Sequence, residues 1–276
     1  MATANNNIYR QVYNAYEDIN LLTGTDRITC VFWRRGILSA AFNAENELLS
    51  IHYAGYGTDR PVWELDFFEP LFAQEPMLVK HEKITKVFFC SSHQLVIPEE
   101  LYELADAEVW FRNMHFTEQN DVIRHYNLKE QNAYYLYSVP MNIKALVKIY
   151  CPQVPILPLQ AYQFAGNYTR GVKLNCFIAP DLASATLYHY GALLWHRVFN
   201  YGAAEDIAYE IRVVCEEHKI NADKVSVSCT ALTASEYDVI NQLSQYFAGI
   251  TTAGGHIINS MWSPALSLIK ELESCE

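Results

Sequence analysis

The sequence predicts an α/β fold built from two halves, each with the element order β-β-β-α-β-α and a mixed sheet. Two observations lead to this prediction. In each half, three runs of residues with a hydrophobic period of two precede a run with the period of a helix. A constant, gapless offset of 145 residues, the separation of Ile28 and Lys173, places residues 28–57 on residues 173–202. Agreement in element order, hairpin position and spacing predicts an internal duplication.

An N-terminal segment, residues 1–27, precedes the first half. Apolar residues of 8–22, among them Ile8, Val12 and Tyr16, lie near one helical stripe. This spacing predicts a short amphipathic helix or a capping segment before the core.

The first half, residues 28–160, opens with an antiparallel meander. Its predicted strands are residues 28–33, 37–42 and 47–56. A helix is predicted at 62–72, although Pro70 limits its length. The remaining predicted elements are a strand at 86–91, a helix that opens at Pro98 with acids in its first turn, a strand at 134–139 and a helix at 142–150.

The second half, residues 161–276, repeats this plan. The offset predicts its three strands within residues 173–202, and it aligns Tyr56 with Tyr201 and Ser39 with Ser184. Helices are predicted at 203–218 and 235–247, with a strand at 224–229 between them.

Composition limits the partners and the compartment. The 276 residues are 51% hydrophobic, and the net charge of −11 opposes binding to nucleic acid, which needs clustered cations. No apolar run approaches the roughly 20 residues that span a bilayer, and residues 1–7 lack a signal pattern. Seven cysteines without a CxxC pair indicate buried thiols in a reducing compartment. We therefore expect a cytoplasmic protein without membrane insertion.

Two tandem β-β-β-α-β-α halves resemble the actin-like ATPase fold, which is ribonuclease H-like and is shared by actin, sugar kinases, large heat-shock chaperones and pilus-assembly cytoplasmic proteins. The chain is also similar to an uncharacterised family from Bacteroidota with that fold. The meander at 28–56 and the segment 91–102 carry this resemblance. In that segment Leu95 and Val96 precede Pro98, an acidic helix start and Tyr102, with an extra Ile97 before the proline. The resemblance implies a fold and no reaction.

The resemblance also implies where a nucleotide would bind, because active members of the fold hold its phosphates at the first hairpin turn of each half. Such a turn needs a glycine, so that backbone N–H groups can approach the phosphates, and an acid that positions magnesium. The first turn, Trp33-Arg34-Arg35-Gly36, has the glycine and no acid. The second, Ala179-Pro180-Asp181-Leu182, has the acid, a proline without an N–H and no glycine. We therefore predict degenerate phosphate loops, no nucleotide hydrolysis and no cofactor.

The adenosine side of such sites carries a Gly-Gly after the fourth strand of the second half. Here Thr230-Ala231-Leu232 follows the strand predicted at 224–229, and Gly254-Gly255 comes one helix later.

The candidate binding residues are Arg34, Arg35, Gly36 and Asp181. At the offset of 145, Arg34-Arg35-Gly36 aligns with Ala179-Pro180-Asp181. Two adjacent arginines in a tight turn could hold a phosphate or a carboxylate. The alternative is a solvated hairpin tip, whose charges protect a sheet edge from aggregation.

The histidines and cysteines carry no motif of a metal site or of a catalytic nucleophile. None of the nine histidines has metal-ligand spacing, so we predict no metal site. His189 and His196 lie on adjacent predicted strands and could meet, or could be packing groups. Cys90 and Cys229 lie at the ends of equivalent predicted strands. They could be paired nucleophiles, although buried thiols at such positions are more commonly inert.

The sequence favours a non-catalytic actin-like module that binds a protein or peptide partner, in the cleft between the halves or along a sheet edge. The alternative is a nucleotide-binding ATPase or switch with an atypical phosphate site at Arg34, Arg35 and Gly36. A third hypothesis, a hydrolase that uses a histidine, has no motif behind it. Nineteen tyrosines suit a binding surface, and they equally suit β-strands.

Overall fold

The computed structural model describes residues 8–16, 24–56, 65–117, 120–164, 171–252 and 260–275. Several predicted features lie outside these residues: Gly57, Gly254-Gly255, and parts of the helices predicted at 8–22 and 62–72.

The described residues form fourteen strands and six α-helices. The strands are β1 (Tyr9–Asn14), β2 (Arg27–Trp33), β3 (Gly36–Phe42), β4 (Leu48–Gly55), β5 (Ile84–Phe89), β6 (Gln94–Pro98), β7 (Val122–Leu128), β8 (Ala133–Val139), β9 (Ile156–Pro158), β10 (Val172–Ala179), β11 (Leu182–His189), β12 (Ala192–Asn200), β13 (Ser226–Ala231) and β14 (Gly249–Thr252). The helices are α1 (Leu65–Gln74), α2 (Leu104–Met114), α3 (Met141–Tyr150), α4 (Ala204–Glu217), α5 (Tyr237–Leu243) and α6 (Ser263–Ser274).

The first sheet has the strand order β1-β4-β3-β2-β5-β9. The predicted meander β2-β3-β4 is antiparallel, and β5 and β9 run parallel to β2. Every residue of β3 is buried, as expected of a strand covered on both faces. Helix α1 buries Phe67, Phe68, Leu71 and Phe72, and it continues past Pro70 to Gln74 because this packing outweighs the lost backbone hydrogen bond.

Of the helix or capping segment predicted at 8–22, the helix is wrong over Tyr9–Asn14, which forms strand β1 on the edge of β4. Contacts with β4 and with the end of α1 select the strand. Arg10 forms an ion pair with Glu75 at 2.6 Å, and the Ser50 hydroxyl donates to the Asn14 side chain at 2.7 Å. Tertiary hydrogen bonds therefore outweigh a helical spacing of apolar residues.

The second sheet has the strand order β12-β11-β10-β13-β14. Strands β10, β11 and β12 form an antiparallel meander, and β13 and β14 run parallel to β10. One face packs on α4, which buries Ile207, Ile211 and Val214. The order β12-β11-β10-β13 thus matches the order β4-β3-β2-β5 of the first sheet, while the internal duplication stays a prediction.

Strand pairing corrects the gapless offset by one residue. Trp33 pairs with Gly36 across the first turn, and Ala179 pairs with Leu182 across the second, so these positions are 146 residues apart. The third strand of each meander, β4 or β12, keeps the offset of 145. Gly36 pairs with Gly55, its counterpart Leu182 pairs with Asn200, and Asn200 lies 145 residues after Gly55. The alignment of Gly36 with Asp181 is therefore wrong: Gly36 corresponds to Leu182.

A third sheet, of order β6-β8-β7, lies in the stretch of chain between β5 and α3. Only β8 was predicted. The helix expected to open at Pro98 is a 3-10 turn, Glu99–Leu101, and α2 begins at Leu104.

The chain divides into two compact units. The first comprises Met1–Ser91, Met114–Arg124 and Tyr137–Leu159, and the second comprises Ser92–Asn113, His125–Leu136 and Gln160–Glu276. Each unit therefore contains segments that are distant in sequence. The division into residues 1–27, 28–160 and 161–276 stays a prediction.

Candidate functional site

The first candidate turn joins β2 to β3 and contains Arg34 and Arg35, both half-buried. Tyr56 holds this turn. Its hydroxyl donates to the Arg34 carbonyl oxygen at 2.7 Å, and its backbone N–H donates to the Arg35 carbonyl oxygen at 2.9 Å. Hydrogen bonds within the protein therefore fix the conformation of the turn.

Gly36, at the end of this turn, is required by aromatic packing. A Cβ at this position would lie 2.7 Å from the Ala54 carbonyl oxygen, 2.8 Å from the Tyr53 hydroxyl and 2.9 Å from the Trp33 indole nitrogen. The indole N–H donates to the Tyr53 hydroxyl at 3.0 Å. Gly36 pairs with Gly55, and the Tyr53 ring would also meet a Cβ there. A glycine is therefore needed here without any phosphate to explain it.

The second candidate turn joins β10 to β11 and contains an exposed Pro180 and a half-buried Asp181. Pro180 offers no N–H to a ligand. The Tyr201 hydroxyl donates to the Ala179 carbonyl oxygen at 2.7 Å, as Tyr56 does in the first turn. Burial, with the nearby charges of Glu236 and Asp181, raises the pKa of Tyr201 far above its usual value. The hydroxyl therefore stays protonated as a donor.

The structure places Arg34, Arg35 and Gly36 side by side in the first compact unit and Asp181 in the second. The binding of an anion by these residues stays a prediction.

A buried carboxyl that the sequence analysis missed follows the end of β13. Glu236 is 2% exposed, and its Oε2 accepts hydrogen bonds from the Thr233 backbone N–H at 2.7 Å and the Thr233 hydroxyl at 3.0 Å. Burial nevertheless raises the pKa of Glu236 to about 7. Its signal in the sequence is the capping box Thr-x-x-Glu. This carboxyl can exchange a proton near neutral pH.

A buried polar network on the second sheet was also missed. It centres on Gln163, in the 3-10 turn Leu159–Phe164. The Ser184 hydroxyl donates to Gln163 Oε1 at 2.6 Å, and Gln163 Nε2 donates to the Ser184 carbonyl oxygen at 3.2 Å. Asn175 and Tyr188 both donate to the Gln163 carbonyl oxygen. These bonds satisfy the side-chain amide and the backbone carbonyl of the buried Gln163.

His189 and His196, for which the sequence left open a contact across the ladder or a packing role, do not pair. His189 pairs with Ala192, whereas His196 pairs with Thr186, whose hydroxyl lies 2.7 Å from His196 Nδ1. The His196 ring packs against Phe164 at a centroid distance of 4.6 Å. Burial lowers the pKa of His196 to about 3, so the ring is neutral at physiological pH.

The cysteines are buried, as predicted. Cys229 lies in β13 opposite Cys176 of β10, and the contact with Cys176, together with burial, raises the pKa of Cys229 well above its usual value. Burial also raises the pKa of Cys151, to about 11. Cys151 and Cys229 therefore stay protonated, which disfavours them as nucleophiles.

Across the described segments, His, Cys, Asp and Glu side chains nowhere gather in the group of three that would suggest a metal ion. In the same segments, no helix has the length and apolar character needed to cross a membrane.

The fold is that of actin-like ATPases, as comparison with solved structures shows. A Bacteroides thetaiotaomicron protein with an actin-like ATPase fold and unknown function matches with a TM-score of 0.75 and 15% identity, over 94% of this chain and 100% of that chain. A chain of the PilM-PilN type IV pilus biogenesis complex matches with a TM-score of 0.56 and 9% identity, over 90% of this chain and 97% of that chain. The predicted fold class is therefore confirmed.

No curated protein matches the chain. A family model described as a protein of unknown function, DUF3822, matches residues 35–250, far more than half of the chain. The chain therefore belongs to the DUF3822 family.

Proposed function

We propose that this chain is a non-catalytic actin-like module that binds a protein or peptide partner in the cytoplasm. The observation that carries the proposal is the chemistry of its two hairpin turns. Gly36 is accounted for by the packing of Tyr53 and Trp33, and the second turn combines Pro180 with no glycine. A phosphate cradle needs free backbone N–H groups at close approach. The composition of the two turns therefore supports the proposal that both phosphate loops are degenerate.

A protein partner is supported by analogy with the PilM-PilN complex, whose name describes an assembly of proteins that includes a chain of this fold. The acidic net charge of −11 disfavours nucleic acid as the partner. Large exposed apolar side chains are also present, and a binding surface would use them.

The second candidate function is a nucleotide-dependent ATPase or switch with an atypical phosphate site. Its support is the pair of half-buried cations, Arg34 and Arg35, at a turn whose carbonyls are held by Tyr56. Arginine can bind phosphate with two parallel hydrogen bonds, without a backbone cradle.

Titration with magnesium ATP, ADP and GTP separates the two functions. A ligand that binds the folded state at 100 times its dissociation constant stabilises it by about 2.7 kcal/mol, which raises the melting temperature. We expect no such rise at millimolar nucleotide, and no heat of binding by calorimetry.

The variants Arg35→Ala and Arg27→Ala provide the matched control. Arg27 lies at the opposite end of β2, where its guanidinium packs over the Phe42 ring at 4.1 Å. Nucleotide stabilisation that disappears in Arg35→Ala and persists in Arg27→Ala would refute the non-catalytic proposal.

A further inference from the structure

Helix α2 has an apolar stripe that the fold covers only in part. Leu104, Ala107, Phe111 and Met114 follow one another at helical spacing, and Trp110 lies beside them. Ala107 and Phe111 are fully buried, whereas Leu104 and Met114 are each 65% exposed and Trp110 is 41% exposed. Leu104, Trp110 and Met114 therefore leave large apolar side chains in water, which a binding partner could cover.

The base of this helix is held in place. Tyr102, just before α2, stacks on Tyr134 of β8 with ring centroids 3.7 Å apart. Its hydroxyl lies 2.8 Å from His125 Nδ1, and His125 Nε2 lies 3.7 Å from a Glu108 carboxylate oxygen on α2. These contacts connect the start of α2 to strands β7 and β8.

Exposed carboxylates are frequent in α2 and in the 3-10 turn that precedes it. The sequence of residues 98–114 contains one Lys or Arg side chain, Arg112, and five exposed acids: Glu99, Glu100, Glu103, Asp106 and Glu108. A second copy of this chain would bring the same acids and a net charge of −11 to the contact. An anionic bilayer would be repelled in the same way. The charge pattern therefore favours a cationic partner.

We propose that the α2 surface, defined as Leu104, Trp110 and Met114 with the exposed acids of residues 98–114, binds a cationic amphipathic helix of another protein. The apolar side of that helix packs on Trp110 and its neighbours, and its Lys or Arg side chains face the carboxylates. The inference rests on the proposed function, because it names the surface and the chemistry of the protein partner.

A designed peptide tests the proposal on the full chain. The probe is a fluorescein-labelled helical peptide of about 18 residues, long enough for a marginal isolated helix, with Leu at i, i+3, i+4 and i+7 and Lys elsewhere. Fluorescence anisotropy is expected to show binding to the chain. A matched peptide with Glu in place of Lys, and a scrambled Leu/Lys peptide, are expected to bind at least about tenfold more weakly.

Alanine variants locate the binding surface. Trp110→Ala and Leu104→Ala are expected to weaken binding by about tenfold or more, because buried aromatic anchors dominate interfaces. Val109→Ala is the matched control: Val109 is also exposed, at 54%, but lies on the opposite side of α2. All three side chains are solvent-accessible, so circular dichroism should show unchanged folding.

Several outcomes would overturn the inference. They are equal loss of binding in Val109→Ala, equal binding of the Glu peptide, Trp110-dependent dimerisation in sedimentation, and Trp110-dependent binding to phosphatidylglycerol vesicles. None of these outcomes would change the result of the nucleotide titration, which tests the proposed function separately. Conversely, nucleotide stabilisation that depends on Arg35 refutes the proposed function without changing the peptide result.

Discussion

Single residues decide how the second unit responds to pH. The pKa of Glu236 is about 7 in the folded chain, above its ordinary value of 4.5, because burial disfavours the charged carboxylate. Between pH 4.5 and 7 the folded state keeps a proton that the unfolded state releases. This group therefore lowers stability as pH rises through that window, by at most about 1.4 kcal/mol per pH unit.

We expect Glu236→Gln to remove this pH-dependent loss, because glutamine stays neutral and its carbonyl oxygen can still accept from Thr233. The free energy of unfolding, measured with denaturant from pH 4.5 to 7.5, should rise relative to wild type as pH increases. Taking the difference from wild type cancels the opposite contribution of His196, whose lowered pKa costs stability as pH falls towards 3.

The control for this measurement is Asp206→Asn. Asp206 is an exposed carboxylate that accepts from the Gly202 and Ala203 backbone N–H groups at the start of α4. This variant should keep the wild-type slope between pH 4.5 and 7. A parallel pH profile for Glu236→Gln and wild type would contradict the assignment.

The turn residues show how far a sequence can locate a site. The composition of both hairpin turns was readable from the sequence, and so was their place between strands. The reason for Gly36 was not, because Tyr53 and Trp33 reach it only after the strands pair. A glycine required by side-chain packing and a glycine required by a phosphate look the same in a sequence.

At the scale of elements, the 3-10 turn Leu159–Phe164 depends on its hydrogen bonds to the second sheet. Gln163 and Ser184 are both fully buried and exchange two hydrogen bonds. Removing one partner leaves the other without its bond, which costs about 1–3 kcal/mol for a buried polar group. Gln163→Ala and Ser184→Ala should each destabilise the chain by this amount.

A double-mutant cycle distinguishes this coupling from simple loss of volume. The double variant should cost less than the sum of the single variants, by about 1 kcal/mol or more in the free energy of unfolding. The exposed ion pair of Arg197 and Glu210, at 2.8 Å, should give at most about 1 kcal/mol of coupling in the same experiment. Additive costs at Gln163 and Ser184 would show that their hydrogen bonds contribute nothing specific.

Strands that pair with the next strand along the chain could be predicted from the sequence. Strands that pair with distant segments, or that are only partly buried, were predicted less completely. The meanders β2-β3-β4 and β10-β11-β12 follow from period-two patterns closed by short turns. The spacing of apolar residues in 8–22 favours a helix or a capping segment and gives no sign of strand β1, because the partner of that strand, β4, lies about 40 residues further along the chain. The half-exposed strands β6 and β7 carry too weak an alternation to be recognised.

At the scale of the whole molecule, stability should differ strongly between elements. Strands β3 and β11 are almost wholly buried, and helix α4 buries six residues along its length. In α2, by contrast, Ala107 and Phe111 are buried while Leu104 and Met114 remain in water. Local opening costs little where few apolar contacts must be broken.

Hydrogen exchange measured along the full chain should reveal this difference. Amides of α2 should exchange about a hundredfold faster than those of α4, the matched helix, and the amides of β3 and β11 should exchange most slowly. If α2 proved as protected as α4 in the isolated chain, its apolar stripe would already be covered in solution, and the α2 surface would not be free for a partner. Adding the Leu/Lys peptide should slow exchange in α2 and leave α4 unchanged, because only the weakly covered helix gains new apolar contacts.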